Sequence, residues 1–226
     1  MRVLALDTTT PRGSLAVAGE EGVLAEARVR TESGHSRWVL GAADALLRGL
    51  GIAPGDLDGF AVTVGPGSFT GLRVGISSIQ GLAIAAGRPC VGLSALDLLA
   101  LAAATAGGAA SRIVSLMDAF RGETYAGVYD GAGSPTAPAR VGALDAILRG
   151  LEAAPAASAY VGDAARTSRE AIVARDAAAL FPEIDLGLAP ILAREALARL
   201  AAGRGEPPAG LRPLYLRGAD IRSARP

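Results

Sequence analysis

The chain has one cysteine and one histidine, its acids and bases balance at 22 each, and aromatic residues make up 4% of it. Each scarcity excludes a class of function. A lone cysteine rules out a disulfide framework and any paired-cysteine redox or zinc motif. It lies in Pro89-Cys90-Val91-Gly92-Leu93, an apolar run that reads as a short buried strand with an ordinary reduced thiol. With a single histidine, His35, a two-histidine metal site cannot be built, and a nucleophile-base pair would have to join His35 to the buried Cys90. His35 in Ser33-Gly34-His35-Ser36 reads as a polar residue at a helix start. The charge balance and the few aromatic rings exclude a basic, base-stacking glove, while leaving room for a minor, shared contact with RNA. No basic segment followed by a long apolar stretch opens the chain, so the expectation is a cytoplasmic protein that spans no membrane.

What is present is a core. Half of the 226 residues are hydrophobic, enough for one large domain or two small ones. Val3-Leu4-Ala5-Leu6-Asp7 reads as a strand ending on a carboxylate, and residues 13–18 as its antiparallel partner after a polar tip. A third strand is expected at 23–29. A helix over 37–50, with Ser33 or Ser36 near its cap, puts Trp38, Leu40, Ala43, Leu47 and Leu50 on roughly one side.

The centre of the chain is Gly65-Pro66-Gly67-Ser68-Phe69-Thr70-Gly71-Leu72-Arg73-Val74-Gly75. It follows the apolar, β-branched run of residues 60–64 and precedes a helical pattern ending near Ala86: a strand, a glycine-rich turn and a helix. Ser68 and Thr70 are suited to cap that helix, and its exposed amides suit an anion. The string lacks the Gly-Lys-Ser/Thr ending of a Walker loop and the spacing of a dinucleotide fingerprint. It therefore reads either as a phosphate cradle or as tight strand-to-helix packing. The helix carries no charge between Arg73 and Arg88, although a helix lying on a sheet with its other side in water shows a charged face. Two buried sides are expected. Leu72, Ile76, Ile79, Ala83 and Ala86 form a stripe for the sheet; Gly71, Gly75, Ser78 and Ala85 form a small-residue stripe, flanked by Leu82, that admits a second helix. That second helix belongs either to this chain or to a partner.

Residues 94–104 read as a helix capped by Ser94, and residues 106–109 as a linker. Then the opening order returns. Residues 113–118 form a strand ending on Asp118, Arg121 and Gly122 make a polar turn, and residues 124–129 form a second strand. Repetition of strand, terminal Asp, Arg-Gly turn and strand implies two related α/β lobes, 1–105 and 106–226. In such a fold Asp7 and Asp118 are candidates to hold a magnesium-bound phosphate in the cleft, with Ser68, Thr70 and Arg73 beside it; the alternative for each carboxylate is a hydrogen-bonded turn. A loop is expected at 133–138, short elements at 143–151 and 159–163, an alanine-rich helix over 164–180 and an amphipathic helix over 191–202. The tail 214–217 is expected to pack back on the body, its path to the first lobe left open.

The opening Leu4-Ala5-Leu6-Asp7-Thr8-Thr9, the glycine string, the segment Asp118-Ala119-Phe120-Arg121-Gly122-Glu123-Thr124-Tyr125 and the ending Pro213-Leu214-Tyr215-Leu216-Arg217 resemble the bacterial TsaB (YeaZ) family. The resemblance spans nearly the whole chain. It implies an actin-like, two-lobed ASKHA fold related to ribonuclease H, and a part in forming N6-threonylcarbamoyladenosine at position 37 of tRNAs that read ANN codons. In that family the protein is a non-catalytic subunit beside a catalytic homologue, TsaD, and a small ATPase, TsaE, and it contacts tRNA through the complex. Where the catalytic homologue carries two metal-binding histidines, this chain reads Val91-Gly92-Leu93-Ser94-Ala95-Leu96, so neither a metal site nor the peptidase label once given to the wider family is expected. No cofactor is required, with room for weak Mg-nucleotide binding. The resemblance makes helices 37–50 and 70–86 the partner-facing surface, for TsaD or for a second copy of the chain, with Trp38, Leu40, Leu47, Gly71, Gly75, Ser78, Leu82 and Ala85 at the interface. The competing expectation is an ATPase or phosphotransferase of the same fold acting alone.

Overall fold

Every residue from Val3 to Asp7 in the first strand is buried, and the alternation of the pleat sends them to two different cores. In the computed structural model, which describes residues 1–31, 34–107, 110–151 and 157–217, strands Arg2–Asp7 (β1), Arg12–Gly19 (β2) and Gly22–Arg30 (β3) form an antiparallel meander. Helix Val39–Gly49 (α1), strand Gly59–Gly65 (β4), helix Phe69–Ala86 (α2), strand Cys90–Ser94 (β5) and helix Ala95–Thr105 (α3) follow. The sheet order is β3-β2-β1-β4-β5, with β4 parallel to β1 and to β5.

The second half repeats this connectivity. Strands Arg112–Asp118 (β6), Thr124–Asp130 (β7) and Pro135–Gly142 (β8) make an antiparallel meander, helix Leu144–Arg149 (α4) follows, and strand Ser158–Val161 (β9) pairs parallel to β6. The order β8-β7-β6-β9 matches β3-β2-β1-β4, as the repeated hairpin implied. Short helices Asp163–Thr167 (α5) and Arg169–Val173 (α6) precede helix Ala189–Ala201 (α7).

Leu4, Leu6, Leu15, Val17, Phe60 and Val62 face α1 and α2, while the smaller Val3, Ala5, Ala16, Ala18 and Ala61 face the other way. On that second face lie α7 and α3, and α3 also packs on β6 and β7. Beyond the second sheet, Ile147, Leu148, Ala164, Ala165 and Ile172 of α4 to α6 pack on Val114, Leu116 and Tyr160. The layers are helices, sheet, helices, sheet, helices. Alanines on the inner face of the first sheet meet Ala189, Ala193 and Ala196 of α7, and small residues on both sides allow a close approach.

Three expected elements differ. Residues 133–138, expected as a loop, enter β8; Pro135 and Pro138 are tolerated because β8 is an edge strand. The alanine-rich 164–180 stretch is not one helix: α5 and α6 meet at Ser168, and Leu180 instead bridges to Ala159 of β9. The helix expected from 37 begins at Val39 after a 3-10 turn, capped by no side chain; Ser33 lies outside the described residues, as do Gly108 and Ala109 of the expected linker.

The return to the first lobe is also larger than the tail alone. Helix α7 packs on β1, β2 and β4, Cys90 exchanges backbone hydrogen bonds with Glu206, and Leu214 N–H donates to Val64 O at 2.7 Å. Arg217 then pairs with Glu123 in the second lobe.

Candidate functional site

The glycine string folds as strand, turn and helix, with Ser68 as the helix cap: its Oγ accepts from Gly71 N–H at 3.2 Å, and Gly87, in the left-handed region, closes the far end. The glycines make room for the chain's own Thr8-Thr9 turn. A Cβ on Gly71 would stand 2.1 Å from Thr8 O and one on Gly75 2.3 Å from Thr8 Oγ1. Thr8 Oγ1 in turn donates to Gly71 O, and Ser68 N–H to Thr9 O. Tight packing therefore accounts for both glycines. Gly71 and Gly75, expected on a partner-facing stripe, are turned inward against Thr8. Leu47 is likewise a core residue with Val39 and Ala43.

Asp7 does not reach a cleft. Its carboxylate is fully buried; Oδ1 accepts from Thr9 N–H, Thr9 Oγ1 and Thr63 Oγ1 at 3.1, 2.7 and 2.6 Å, while Oδ2 has no partner among the described residues. Burial pushes its pKa up from the ordinary 3.8, against the lowering effect of those hydrogen bonds. Asp118 is different: it is exposed, its Oδ1 accepts from Phe120 N–H at 2.8 Å, and its own N–H donates to Asp163 Oδ1. The two carboxylates end corresponding strands in unlike surroundings, and neither lines a cavity walled by both lobes.

Asp7 thus carries a stability prediction. An acid whose folded pKa is raised contributes stability that is full below 3.8 and is lost as pH rises through the folded value. Asn keeps the Oδ1 acceptor and removes the ionisation, so Asp7→Asn should match or exceed the parent in thermal midpoint at neutral pH, with the parent gaining relative to it as pH falls. Asp7→Ala strands three buried donors and should cost about 2–4 kcal/mol. A constant gap between parent and Asp7→Asn from pH 4 to 7 would contradict the raised pKa.

Ser68 and Thr70 line a cavity of about 460 Å³ between the lobes, with Phe69, Phe120, Arg121 and Tyr215 among its other walls. Arg73 stands beside it, its guanidinium 3.9 Å from the centre of the Phe69 ring and its Nε donating to Tyr215 Oη at 3.3 Å. Of the five residues expected around a nucleotide, Ser68 and Thr70 meet here and Arg73 adjoins them; Asp7 and Asp118 do not. Phe120 and Tyr215 were not expected, because nothing local marks residues so far apart in the chain as neighbours.

The other nucleophilic and basic candidates have structural employment. Trp38 Nε1 donates to His35 Nδ1 at 3.1 Å, which leaves the imidazole proton on Nε2, 2.9 Å from Thr10 O. Cys90 is buried in β5, and burial pushes its thiol up to about 12. Among the described residues, no three of His, Cys, Asp and Glu gather as metal ligands do.

On the outside of α2, Ser77, Gly81, Ile84 and Ala85 are exposed, and Ile84 reaches 67%. Beside it on α1, Leu40 is 58% exposed and Gly41 meets nothing within 4 Å. Trp38, Ser78 and Leu82 are half-buried at the edges of this face. Along α2 no charge lies between Arg73 and Arg88, and α1 carries the Asp44–Arg48 pair. By length and composition α2 is also the described helix that is long and apolar enough to cross a membrane, yet Leu72, Ile76, Ile79 and Ala83 are buried within the fold.

A family model described as TsaD, tRNA N6-adenosine threonylcarbamoyltransferase, matches residues 22–184. The Escherichia coli protein named tRNA threonylcarbamoyladenosine biosynthesis protein TsaB is 37% identical over 125 residues, 55% of this chain and 53% of its own length. Its Bacillus subtilis namesake is 35% identical over 129 residues, 57% and 55% of the two chains. A Pseudomonas aeruginosa structure, described as similar to the peptidase YeaZ, superposes at a TM-score of 0.81 and 30% identity over 96% of this chain and 99% of that one. The chain belongs to the TsaB (YeaZ) family, within the wider TsaD family. The two-lobed arrangement is accordingly the actin-like ASKHA fold, which component A of the Acidaminococcus fermentans (R)-2-hydroxyglutaryl-CoA dehydratase shares at a TM-score of 0.55 and 10% identity. The chain spans about half the length of the curated relatives it matches.

Proposed function

We propose that this chain is a non-catalytic scaffold subunit in the biosynthesis of N6-threonylcarbamoyladenosine in tRNA, pairing through α1 and α2 with a catalytic TsaD-like subunit. The uncovered, nearly charge-free outer face of α2 carries this reading. Exposing Ile84, Ala85 and Leu40 to water wastes apolar surface that a partner helix would bury, and exposed Gly81 and Gly41 let its backbone come close. The names of the relatives supply the pathway. A TsaE-like ATPase joins the assembly, and in the absence of the partner two copies pair through the same face. The chain itself needs no cofactor. The structural roles of His35, Cys90 and Asp7 support a subunit that works by packing.

The test is co-expression with the TsaD-family enzyme of the same organism, followed by gel filtration and a tRNA modification assay. One co-eluting peak and modification that depends on this chain are expected. Separate elution, with the enzyme equally active alone, would overturn the reading. The alternative, a lone ATPase or phosphotransferase, draws on Ser68 and Thr70 at the cavity. It requires the isolated chain to turn over Mg-ATP in a manner abolished by Thr70→Ala, a change at an exposed residue of the cavity wall.

A further inference from the structure

With one tryptophan, four tyrosines and four phenylalanines in the whole chain, exposed aromatic rings are scarce, yet three of them surround one cavity. Phe69 (45% exposed) opens α2, Phe120 (52%) sits in the turn between β6 and β7, and Tyr215 (42%) belongs to the returning tail. Three separate segments, drawn from both lobes, place rings in water at the same opening. Phe69 and Tyr215 already pack together, with ring centres 5.3 Å apart and planes tilted by 30°. The Arg73 guanidinium covers Phe69 from 3.9 Å.

Phe120 is presented at a cost. It and Arg121 have φ of 60° and 56°, a left-handed backbone that residues with a Cβ adopt rarely and that two bulky neighbours in succession adopt more rarely still. The turn is fixed there by bonds on both sides. Ala119 N–H donates to Glu123 O, Glu123 N–H to Phe120 O, and Phe120 N–H to Asp118 Oδ1. Strain of this kind persists where surrounding structure imposes it, and here its product is an exposed ring at a cavity mouth.

The remaining walls define the ligand. Ser68 and Thr70 supply hydroxyls, Arg121 and Arg217 supply guanidinium groups, and no Asp or Glu lines the cavity among the described residues. Arg217 is also paired with Glu123, which holds its position. Flat aromatic walls with cationic and hydroxyl edges match a planar base joined to a phosphate, and a cavity of about 460 Å³ suits one such unit. We propose that this cavity is a stacking site for an unpaired base of single-stranded RNA. The choice of RNA rests on the tRNA reading above. The three exposed rings make stacking the main contact, with the guanidinium groups meeting one phosphate, so affinity depends less on salt than at a phosphate-tracking surface.

The experiment is fluorescence anisotropy of a labelled single-stranded oligoadenylate with the full chain, alone and after co-expression with the TsaD-family enzyme. Saturable binding is expected, weakened roughly tenfold by Phe120→Gly and again by Tyr215→Ala. Phe120→Gly should leave the thermal midpoint unchanged or raise it, since glycine accepts the left-handed backbone, so lost binding cannot be blamed on lost structure. Binding that both variants retain, or no saturable binding by the parent in either form, overturns the proposal. So does equal affinity for duplex RNA, which marks phosphate attraction, or displacement by AMP at matched base concentration, which marks a free-nucleotide site. A chain that binds the oligonucleotide but fails to co-elute with the enzyme loses the scaffold reading and keeps this one.

Discussion

Gly71→Ala is expected to destabilise the isolated chain by about 3 kcal/mol or more, because the added methyl would meet the Thr8 carbonyl, a backbone atom that cannot turn aside. For a chain of this size that is a fall of roughly 6–12 °C in thermal midpoint. The same substitution ten residues along the same helix should do the opposite. A Cβ on Gly81 meets nothing within 4 Å, and replacing an exposed mid-helix glycine by alanine stabilises by about 1 kcal/mol. Thermal melts of the two variants beside the parent decide the matter. If Gly71→Ala melts like Gly81→Ala, the glycine string is not seated on the Thr8-Thr9 turn, and its fitness as a ligand cradle has to be reconsidered.

Ile84→Glu is expected to leave the chain folded and to abolish assembly. The side chain is two-thirds exposed, so a carboxylate there stays hydrated in the free chain and its thermal midpoint should barely move. In a dry interface the same charge is buried without a partner, at a cost of about 3–5 kcal/mol, or roughly a hundredfold or more in affinity. Ile76→Glu is the contrasting control. Ile76 is buried with Ile79 and Ala83 against the first sheet, so that variant should fail as a monomer. Sedimentation of each variant with the TsaD-family enzyme separates the cases, and undiminished co-sedimentation of Ile84→Glu would move the interface elsewhere.

Much of the fold was legible because its signals are local. An apolar run with alternate residues assigned to two cores reads as a central strand whatever the tertiary context, and Ser68 and Ser94 mark helix starts by their own chemistry. The repeated hairpin announced two lobes, since strand, terminal Asp and turn recur in order. The errors arose where tertiary structure overrides propensity. Pro135 and Pro138 argue against a strand until the strand is known to be an edge, and the alanines after residue 164 favour a helix that the bridge from Leu180 to β9 interrupts.

The candidate site was legible only in part. Small residues at helical spacing reveal that something comes close but not which side it comes from: Gly71 and Gly75 admit Thr8, whereas Gly81 looks outward. The carboxylate at the end of β1 reads from sequence either as a holder of a magnesium-bound phosphate or as a hydrogen-bonded turn residue because position within a strand says nothing of burial, and Thr9 and Thr63 occupy its Oδ1. The cavity's aromatic walls come from residues 69, 120 and 215, a juxtaposition that no local pattern encodes.

The placement of α7 sets the order in which the protein can be completed as it leaves the ribosome. The inner face of the first sheet, with Val3, Ala5, Ala16 and Ala18, is covered by a helix that begins at Ala189, after every strand of the second lobe. Until that segment emerges, those strands carry a bare apolar face, a surface on which nascent chains aggregate or recruit chaperones. The second lobe is synthesised before the first can close. The first lobe is therefore made before the second and closed only after it.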